Sequence, residues 1–556
     1  MSAIGHALPR LARRHALTGA YRPELSVETL ALGASLFFSV FSNVAFWRAV
    51  AATGALHGPN GWLTAACLFI AITALNMILL CVLLNRWTAK PVLTLLLLTT
   101  AMAVHFMGQY TVYLDADMIR NILHTDSKES NELISFGLVL PLLLYGVLPA
   151  CLVWSVRLRH RPLRRALWIR GLYLAGAIAV ATGAIVLSFQ SISGLMRNHT
   201  DVRHLITPGN YVMSLARVAL DDRAGKNLPR IPVGTEAKVV GRPASARPRL
   251  LVIVIGETVR AQNWGLNGYA RQTTPQLQRI GPINFSDVTA CGSSTEISVP
   301  CMFSPYGRAH YDKQKIERSE SLLHVLEHAG IATSWRDNQT GCKGVCTGLA
   351  FESFEHAKDP AYCDAEGCLD GVMLDGLGDI AGRRAGDEVV VLHQLGNHGP
   401  SYYKRYPARL RRYVPVCESA ELGECSRAEI VNAYDNAVLQ TDDFLARTID
   451  LLQSQSSRDT ALIYVSDHGE SLGENGLFLH GMPYAIAPDT QTKVPMVLWL
   501  SSGFAADRGI DTSCLRREAK APASHDNLFH SVLGLMQVQT REYDPRLDLF
   551  QSCSRS

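Results

Sequence analysis

Three short apolar runs in the second half of the chain each end in side chains able to hold a metal ion or move a proton. Leu250–Ile255 leads into Gly256-Glu257-Thr258, and Glu388–Leu392 leads into His393 and then Gly396-Asn397-His398-Gly399. Ala461–Val465 leads into Ser466-Asp467-His468-Gly469-Glu470. Carboxylate oxygens and imidazole nitrogens together suit Zn²⁺, and Mn²⁺ accepts the same donors. One polar residue after an apolar run is ordinary cap or turn chemistry. Glu257, His393, His398, Asp467, His468 and Glu470 delivered to a common edge make a constellation. The part still needed is a nucleophile. Between Cys291 and Cys301 lies Gly292-Ser293-Ser294-Thr295-Glu296-Ile297-Ser298-Val299-Pro300. Any of the adjacent hydroxyls of Ser293, Ser294 and Thr295 could serve, because metal coordination lowers a hydroxyl's pKa. A helix N-terminus at that point would also favour an incoming phosphate.

The elements that must position these groups are legible around them. The apolar runs are short, rich in β-branched residues and without polar alternation, as strands buried on both faces are. Val494–Leu500 reads as a fourth. Segments of helical character, Ser319–Ala329 and Ser426–Gln453, lie between them. The alternation predicts a soluble α/β domain with a mostly parallel sheet and helices on both faces, its ligands at the carboxyl ends of the strands.

The first third of the chain differs in kind. Residues 1–192 hold 15 Lys+Arg against 7 Asp+Glu, whereas the remaining 364 hold 38 against 42. The basic excess therefore sits in the apolar part, which excludes a uniformly basic nucleic-acid binder and a fully disordered chain. Five charge-free stretches, Thr29–Trp47, Gly61–Leu84, Pro91–Leu114, Leu133–Val156 and Gly171–Met196, are each long enough to cross a hydrocarbon core, which takes about 20 residues. Alternate loops are basic: Arg10, Arg13, Arg14 and Arg22, then Arg86 and Lys90, then the run from Arg157 to Arg170. The third loop is acidic. The positive-inside rule then places the N-terminus in the cytoplasm and everything after Met196 on the far side. The expected organisation is a five-helix transmembrane domain over 1–196, a bridging segment near the membrane surface over 197–248 and an exported catalytic domain over 249–556.

Cysteine usage agrees with export. Eight of the 13 cysteines fall there as close neighbours, Cys291/Cys301, Cys342/Cys346, Cys363/Cys368 and Cys417/Cys425. No C-x-x-C spacing for zinc occurs among them, so short disulfide-closed loops in an oxidising compartment are the expected arrangement. Whether Cys514 and Cys553 form a fifth bridge is left open by the sequence.

At these residues the chain resembles the phosphoethanolamine transferases of the Gram-negative inner membrane, the polymyxin-resistance type, whose catalytic domain is alkaline-phosphatase/sulfatase-like. The resemblance covers nearly the whole chain. Its motifs include Gly256-Glu257-Thr258-Val259-Arg260, Cys291-Gly292-Ser293-Ser294-Thr295, Asn397-His398-Gly399-Pro400, Ser466-Asp467-His468-Gly469-Glu470 and Leu479-His480-Gly481-Met482-Pro483. The resemblance implies that Thr295 is the nucleophile, and that Glu257, Thr295, Asp467 and His468 hold one tight Zn²⁺. His398 and His480 match a second cluster, where a second zinc or the leaving-group proton donor would sit. Lys343, His393 and Glu470 match substrate-binding or supporting positions, with Gln339 and Asn338 beside them where the family varies. Asn121, Thr125 and Glu129, spaced by four on one helical face, match a site for the donor's ethanolamine group. The implied reaction moves phosphoethanolamine from phosphatidylethanolamine to lipid A of lipopolysaccharide through a phosphothreonine-type intermediate, in a membrane-bound monomer with no nucleic-acid partner. A core heptose as acceptor, a phosphoglycerol transferase and a non-catalytic membrane sensor are the alternatives.

Overall fold

Eight strands form one sheet behind the polar ends. They are β1 (Arg249–Gly256), β2 (Ile283–Thr289), β3 (Ala332–Asp337), β4 (Ala350–Ser353), β5 (Glu388–His393), β6 (Asp459–Ser466), β7 (Lys493–Leu500) and β8 (Ala523–Ser524). The computed structural model describes residues 23–554, apart from 58–60, 125–132, 226–228, 242–245, 365–366 and 379–385. The sheet order is β8-β2-β7-β6-β1-β5-β3-β4. Central β1 pairs in parallel with β5 on one side and β6 on the other. All eight of its residues are buried. Leu251, Ile253 and Ile255 enter one core layer, and Leu250, Val252 and Val254 enter the other. That split explains the absence of polar alternation: both faces of the strand need apolar side chains.

Helices Leu322–His328 and Asp526–Met536 cover the first face, and the long helix Arg427–Gln453 covers the second. The long helix begins at a capping box, in which Ser426 and Glu429 satisfy each other's backbone N–H. Strand β7 is antiparallel to both β6 and β2. The sheet is thus parallel except for this one strand.

The N-terminal part is helical. Gly61–Leu83, Ala89–Tyr110, Phe136–Ser155 and Leu163–Leu187 are long and apolar enough to cross a membrane, and the pair Val27–Ser42 and Val44–Ala52, bent by 52°, makes a fifth candidate. Two expected boundaries change. The last span starts at Leu163 rather than Gly171 and ends at Leu187, with Phe189–Asn198 a separate helix. It therefore takes in Arg164, Arg165 and Arg170, since arginines are tolerated where a helix end reaches polar surroundings or a carboxylate. Here Arg161 and Arg170 approach the buried Glu28 at 3.3 and 3.9 Å. The first span, expected as one stretch over Thr29–Trp47, breaks at Asn43. The Asn43 amide donates to the carbonyls of Phe38 and Thr207 at 2.9 and 3.0 Å and accepts from the Thr207 N–H at 2.9 Å. The Tyr211 hydroxyl similarly lies 3.0 and 2.9 Å from Thr99 and Thr100. Part of the segment after Met196 is thus packed into the helical bundle. Arg10, Arg13, Arg14 and Arg22 lie outside the described residues.

The two parts meet through polar contacts. Tyr110 donates to the Ala420 carbonyl at 3.0 Å, Thr111 to the Gly476 carbonyl at 2.9 Å, and Lys313 to Asp117 at 2.7 Å. Five disulfides close the catalytic part: Cys291–Cys301, Cys342–Cys346, Cys363–Cys368, Cys417–Cys425 and Cys514–Cys553.

Candidate active site

Strands β1 and β6 lie side by side, with Gly256 opposite Ser466. The residues that follow them, Glu257 and Asp467-His468, therefore emerge as neighbours. Helix Thr295–Met302 starts beside them, with Thr295 as its first residue after the Ser294 cap. Thr295 Oγ1 donates to Glu257 Oε2 at 3.0 Å and lies 3.3 Å from His468 Nε2. His468 Nε2 is also 3.4 Å from Glu257 Oε1 and 3.3 Å from Asp467 Oδ2. One ligand atom each from Glu257, Asp467 and His468 fits within 4.8 Å of the others, and all three residues are fully buried.

Whether these atoms suit a cation is settled by what else they bind. Asp467 Oδ1 accepts the N–H groups of Thr258 and His468 at 3.2 and 2.7 Å, while Oδ2 has no hydrogen-bond partner. Glu257 Oε2 accepts from Thr295 and from Gln339 Nε2 at 3.2 Å, while Oε1 has none. His468 Nδ1 lies 2.9 Å from the Gly469 carbonyl. Donating there places the proton on Nδ1 and leaves the Nε2 lone pair for a metal. Each residue is thus anchored through one atom and presents another, and orphaned buried carboxylate oxygens are costly unless something positive meets them. The group has the donor set and geometry that could hold a metal ion.

The ionisation of the cluster carries the same message. Burial, then the neighbouring Glu257 charge, pushes the Asp467 carboxyl up to about 7. Burial works against a charged His468, yet the Asp467 and Glu257 carboxylates outweigh it and hold the imidazole up to about 9. Burial also opposes the Glu257 carboxylate, but the adjacent His468, with His398 and His480, holds it well below the usual range. Two facing carboxylates require positive charge between them, either a proton or a cation.

The backbone around the cluster is tightly specified. Tyr434 Oη donates to the Thr258 carbonyl at 2.6 Å and accepts the Arg260 N–H at 2.9 Å. Thr258 is held at a φ of 56°, a left-handed conformation that costs a non-glycine residue about 1–3 kcal/mol. Gly396, at φ 53°, lets the His393–His398 loop approach so closely that an added Cβ would lie 2.9 Å from the Glu257 carbonyl oxygen.

The other predicted residues fall into a looser ring. His480 Nδ1 lies 3.2 Å from Glu470 Oε1, and its ring centre is 4.3 Å from that of His468 and 5.4 Å from that of His398. His393 is buried, its Nδ1 2.8 Å from Asp337 Oδ1 and its Nε2 without a partner. Burial would lower its pKa, but Asp337 holds it above the usual range. Lys343 Nζ donates to Thr340 Oγ1 at 2.6 Å, one residue from Gln339. Asn338 Nδ2 donates to Asp370 Oδ1 at 2.9 Å and so braces the loop rather than facing the cluster. Asn121 lies on helix Ala116–His124, with its amide nitrogen 3.8 Å from where a Gly481 side chain would begin. Thr125 and Glu129 lie outside the described residues.

Two contributors have no sequence signal. His525 accepts the Cys291 N–H at Nδ1 (3.1 Å), and its Nε2 donates to the Ser466 carbonyl at 2.9 Å. Ser298 Oγ donates to the Asp467 carbonyl at 2.5 Å and accepts the Gly292 N–H at 3.0 Å. Together they fasten the hydroxyl-bearing loop to the metal-binding one. His525 follows a two-residue strand and resembles any buried histidine until the fold is assembled.

A membrane-anchored α/β domain of sulfatase type, with a hydroxyl and a metal group at its strand ends, is the class these observations define. Residues 249–538 match the family described as Sulfatase, and residues 72–223 match the family described as Phosphoethanolamine transferase EptA/EptB. The chain is 34% identical to phosphoethanolamine transferase EptA of Escherichia coli K12 over 96% of its own length and 98% of that protein. It is 37% identical to phosphatidylethanolamine transferase Mcr-1 of E. coli over 86% of its length and 90% of that protein. Its fold matches the integral membrane lipooligosaccharide phosphoethanolamine transferase A of Neisseria meningitidis with a TM-score of 0.92 and 36% identity, covering 96% of this chain and 100% of that one. The chain belongs to the EptA family of phosphoethanolamine transferases.

Proposed function

We propose that this chain takes phosphoethanolamine from phosphatidylethanolamine onto Thr295 and passes it to a phosphate of lipid A, lowering surface negative charge and so the attraction of polymyxin. The observation that carries the reading is the placement of Thr295 Oγ1 3.0 Å from Glu257 Oε2 and 3.3 Å from His468 Nε2. Relatives named for phosphatidylethanolamine and for lipooligosaccharide support the donor and acceptor classes.

Glu257, Asp467 and His468, with Thr295, would hold zinc, the metal whose usual donors are carboxylate oxygen and imidazole nitrogen. When bound, zinc supplies positive charge that favours the Thr295 alkoxide and polarises the phosphoryl group. Thr295 Oγ1 attacks phosphorus, its proton leaves through the hydrogen bond to Glu257, and the bond from phosphorus to the diacylglycerol oxygen breaks. His480, oriented by Glu470, or its neighbour His398 supplies the proton that the leaving oxygen needs. A lipid A phosphate oxygen then attacks the same phosphorus, its proton passing to the imidazole that lost one, while the bond from phosphorus to Thr295 Oγ1 breaks and Oγ1 takes its proton back from Glu257. The basic loops orient the helices so that the N-terminus is cytoplasmic and the sheet domain periplasmic.

Peptide mass spectrometry of the full-length protein after incubation with phosphatidylethanolamine vesicles should find phosphoethanolamine on Thr295. Lipid A from an expressing strain should gain the same mass. An adduct that survives Thr295→Ala would overturn the assignment.

A further inference from the structure

Two concavities approach the site, and they differ in chemistry. One, of about 1360 Å³, is lined by Leu75, Ile78 and Val82 of the membrane helix Gly61–Leu83 and also by charged residues such as Asp117, Arg120 and Lys313, and reaches Pro483 beside the His480 loop. The other, of about 440 Å³, lies wholly in the catalytic domain and is lined by residues between Asn338 and Ala408. Its inner end is formed by Gln339, whose amide bonds Glu257, and by His398, whose ring faces His480. Its walls carry the rings of Tyr362, Tyr403 and Tyr406, the cations Lys404 and Arg405, and the acidic Glu355, Asp364 and Asp370. Arg405 is planted by donation from Nε to the His398 carbonyl at 2.8 Å. The Cys363–Cys368 disulfide closes one side.

We propose that this second cavity binds the acceptor's headgroup, a phosphorylated hexosamine, and leaves the groove along the membrane helix, with its Leu75, Ile78 and Val82, to acyl chains. The inference rests on the transfer reading above. Its size lies within the usual range for a small-ligand pocket, about 300–1,000 Å³. Aromatic faces suit the C–H surface of a pyranose, and lysine and arginine are the side chains that pair with phosphate. No membrane-helix residue lines it, so it offers nothing to a diacyl tail. A phosphate entering from this side meets His398 and Gln339 first, next to the carboxylate that bonds Thr295. Donor and acceptor would thus arrive by separate routes, as a two-step transfer through one covalent intermediate permits.

Ala361 and Ala408 are exposed residues at the cavity wall and lie outside the catalytic group, so Ala361→Trp and Ala408→Trp would fill it without disturbing the core. With the full-length protein in micelles, both variants should raise the KM for lipid A at least tenfold, while the Thr295 adduct forms from phosphatidylethanolamine as before. Glucosamine 1-phosphate should give saturation-transfer NMR signals with the unmodified protein and with Thr295→Ala, and lose them in both tryptophan variants. Unchanged acceptor KM in correctly melting tryptophan variants, or sugar-phosphate signals that persist in them, would overturn the proposal. Absence of the adduct in unmodified protein would count against the Thr295 reading instead, because sugar-phosphate binding is read without it.

Discussion

The buried triad of Glu257, Asp467 and His468 and the ring of His398, His480, Lys343 and Asn121 are built on different supports. The triad sits one or two residues past adjacent central strands; Asp467 and His468 are anchored to backbone N–H and carbonyl groups, and Glu257 to the Thr295 and Gln339 side chains. The ring is carried by loops and by a helix of the N-terminal part, and His480 is held by a single contact at 3.2 Å. Groups on strand ends keep their places through the sheet, whereas groups on loops depend on whatever packs over them. Metal binding should therefore be fixed by the sheet, and proton transfer and substrate approach should be adjustable.

Removing a triad member is the strongest way to break this contrast. Asp467→Asn should lose bound metal, measured by elemental analysis of purified protein, and lower transfer on the order of 10³-fold. Chelation should do the same to the unmodified protein, with activity restored by zinc. His480→Ala should instead keep the metal and lower kcat about 10²-fold. Loss of metal in that variant would show that the ring is part of the metal site.

A third test concerns the frame. Burial pushes the His525 imidazole from 6.5 down to about 3. The unfolded chain then binds a proton that the folded chain refuses between those values, so the stabilisation is complete above about pH 6.5 and declines as pH falls towards 3. The loss amounts to on the order of 5 kcal/mol at the acid end. Thermal melting of His525→Gln between pH 7 and 4 should show a shallower decline than the unmodified protein; equal slopes would remove His525 from the frame. The smallest effect belongs to the link between the two parts. Asp117→Asn breaks a partly exposed ion pair with Lys313, worth up to about 1 kcal/mol, and transfer should change by less than about twofold. A larger drop would mean that helix Ala116–His124 sets the ring's geometry.

The same contrast governed what could be read from sequence. Leu250–Ile255 and Ala461–Val465 announce buried strands because both faces must be apolar, and the polar residues after them were visible for that reason. The choice of Thr295 over Ser293 and Ser294 was not visible in the spacing, because it depends on where the helix N-terminus points. It came from the resemblance. The direction of β7 was hidden too, since an apolar run has no polarity of its own. The last membrane helix was misplaced because its basic end is charged in sequence but helical in structure. The roles of Ser298 and His525 could not be found at all, as the partners that tie them to the metal-binding loop, Asp467 and Ser466, lie 169 and 59 residues away.

Reversal of β7 also shapes how this enzyme can vary. Strand β6 ends at the catalytic edge and β7 begins there, one inter-strand spacing of about 4.8 Å away. The chain from Asp467 to Lys493 consequently leaves and re-enters the sheet at the same rim, and the whole excursion, His480 included, stays draped over the site. A parallel β7 would have obliged that chain to cross to the opposite end of the sheet. Because both anchors are fixed and close together, a change of length in this segment need not rethread a strand, although its bonds to Ser293 and Ala290 have to be kept. Chimeras that swap residues 473–490 are accordingly the economical route to a new substrate range with Glu257, Asp467 and His468 left unchanged.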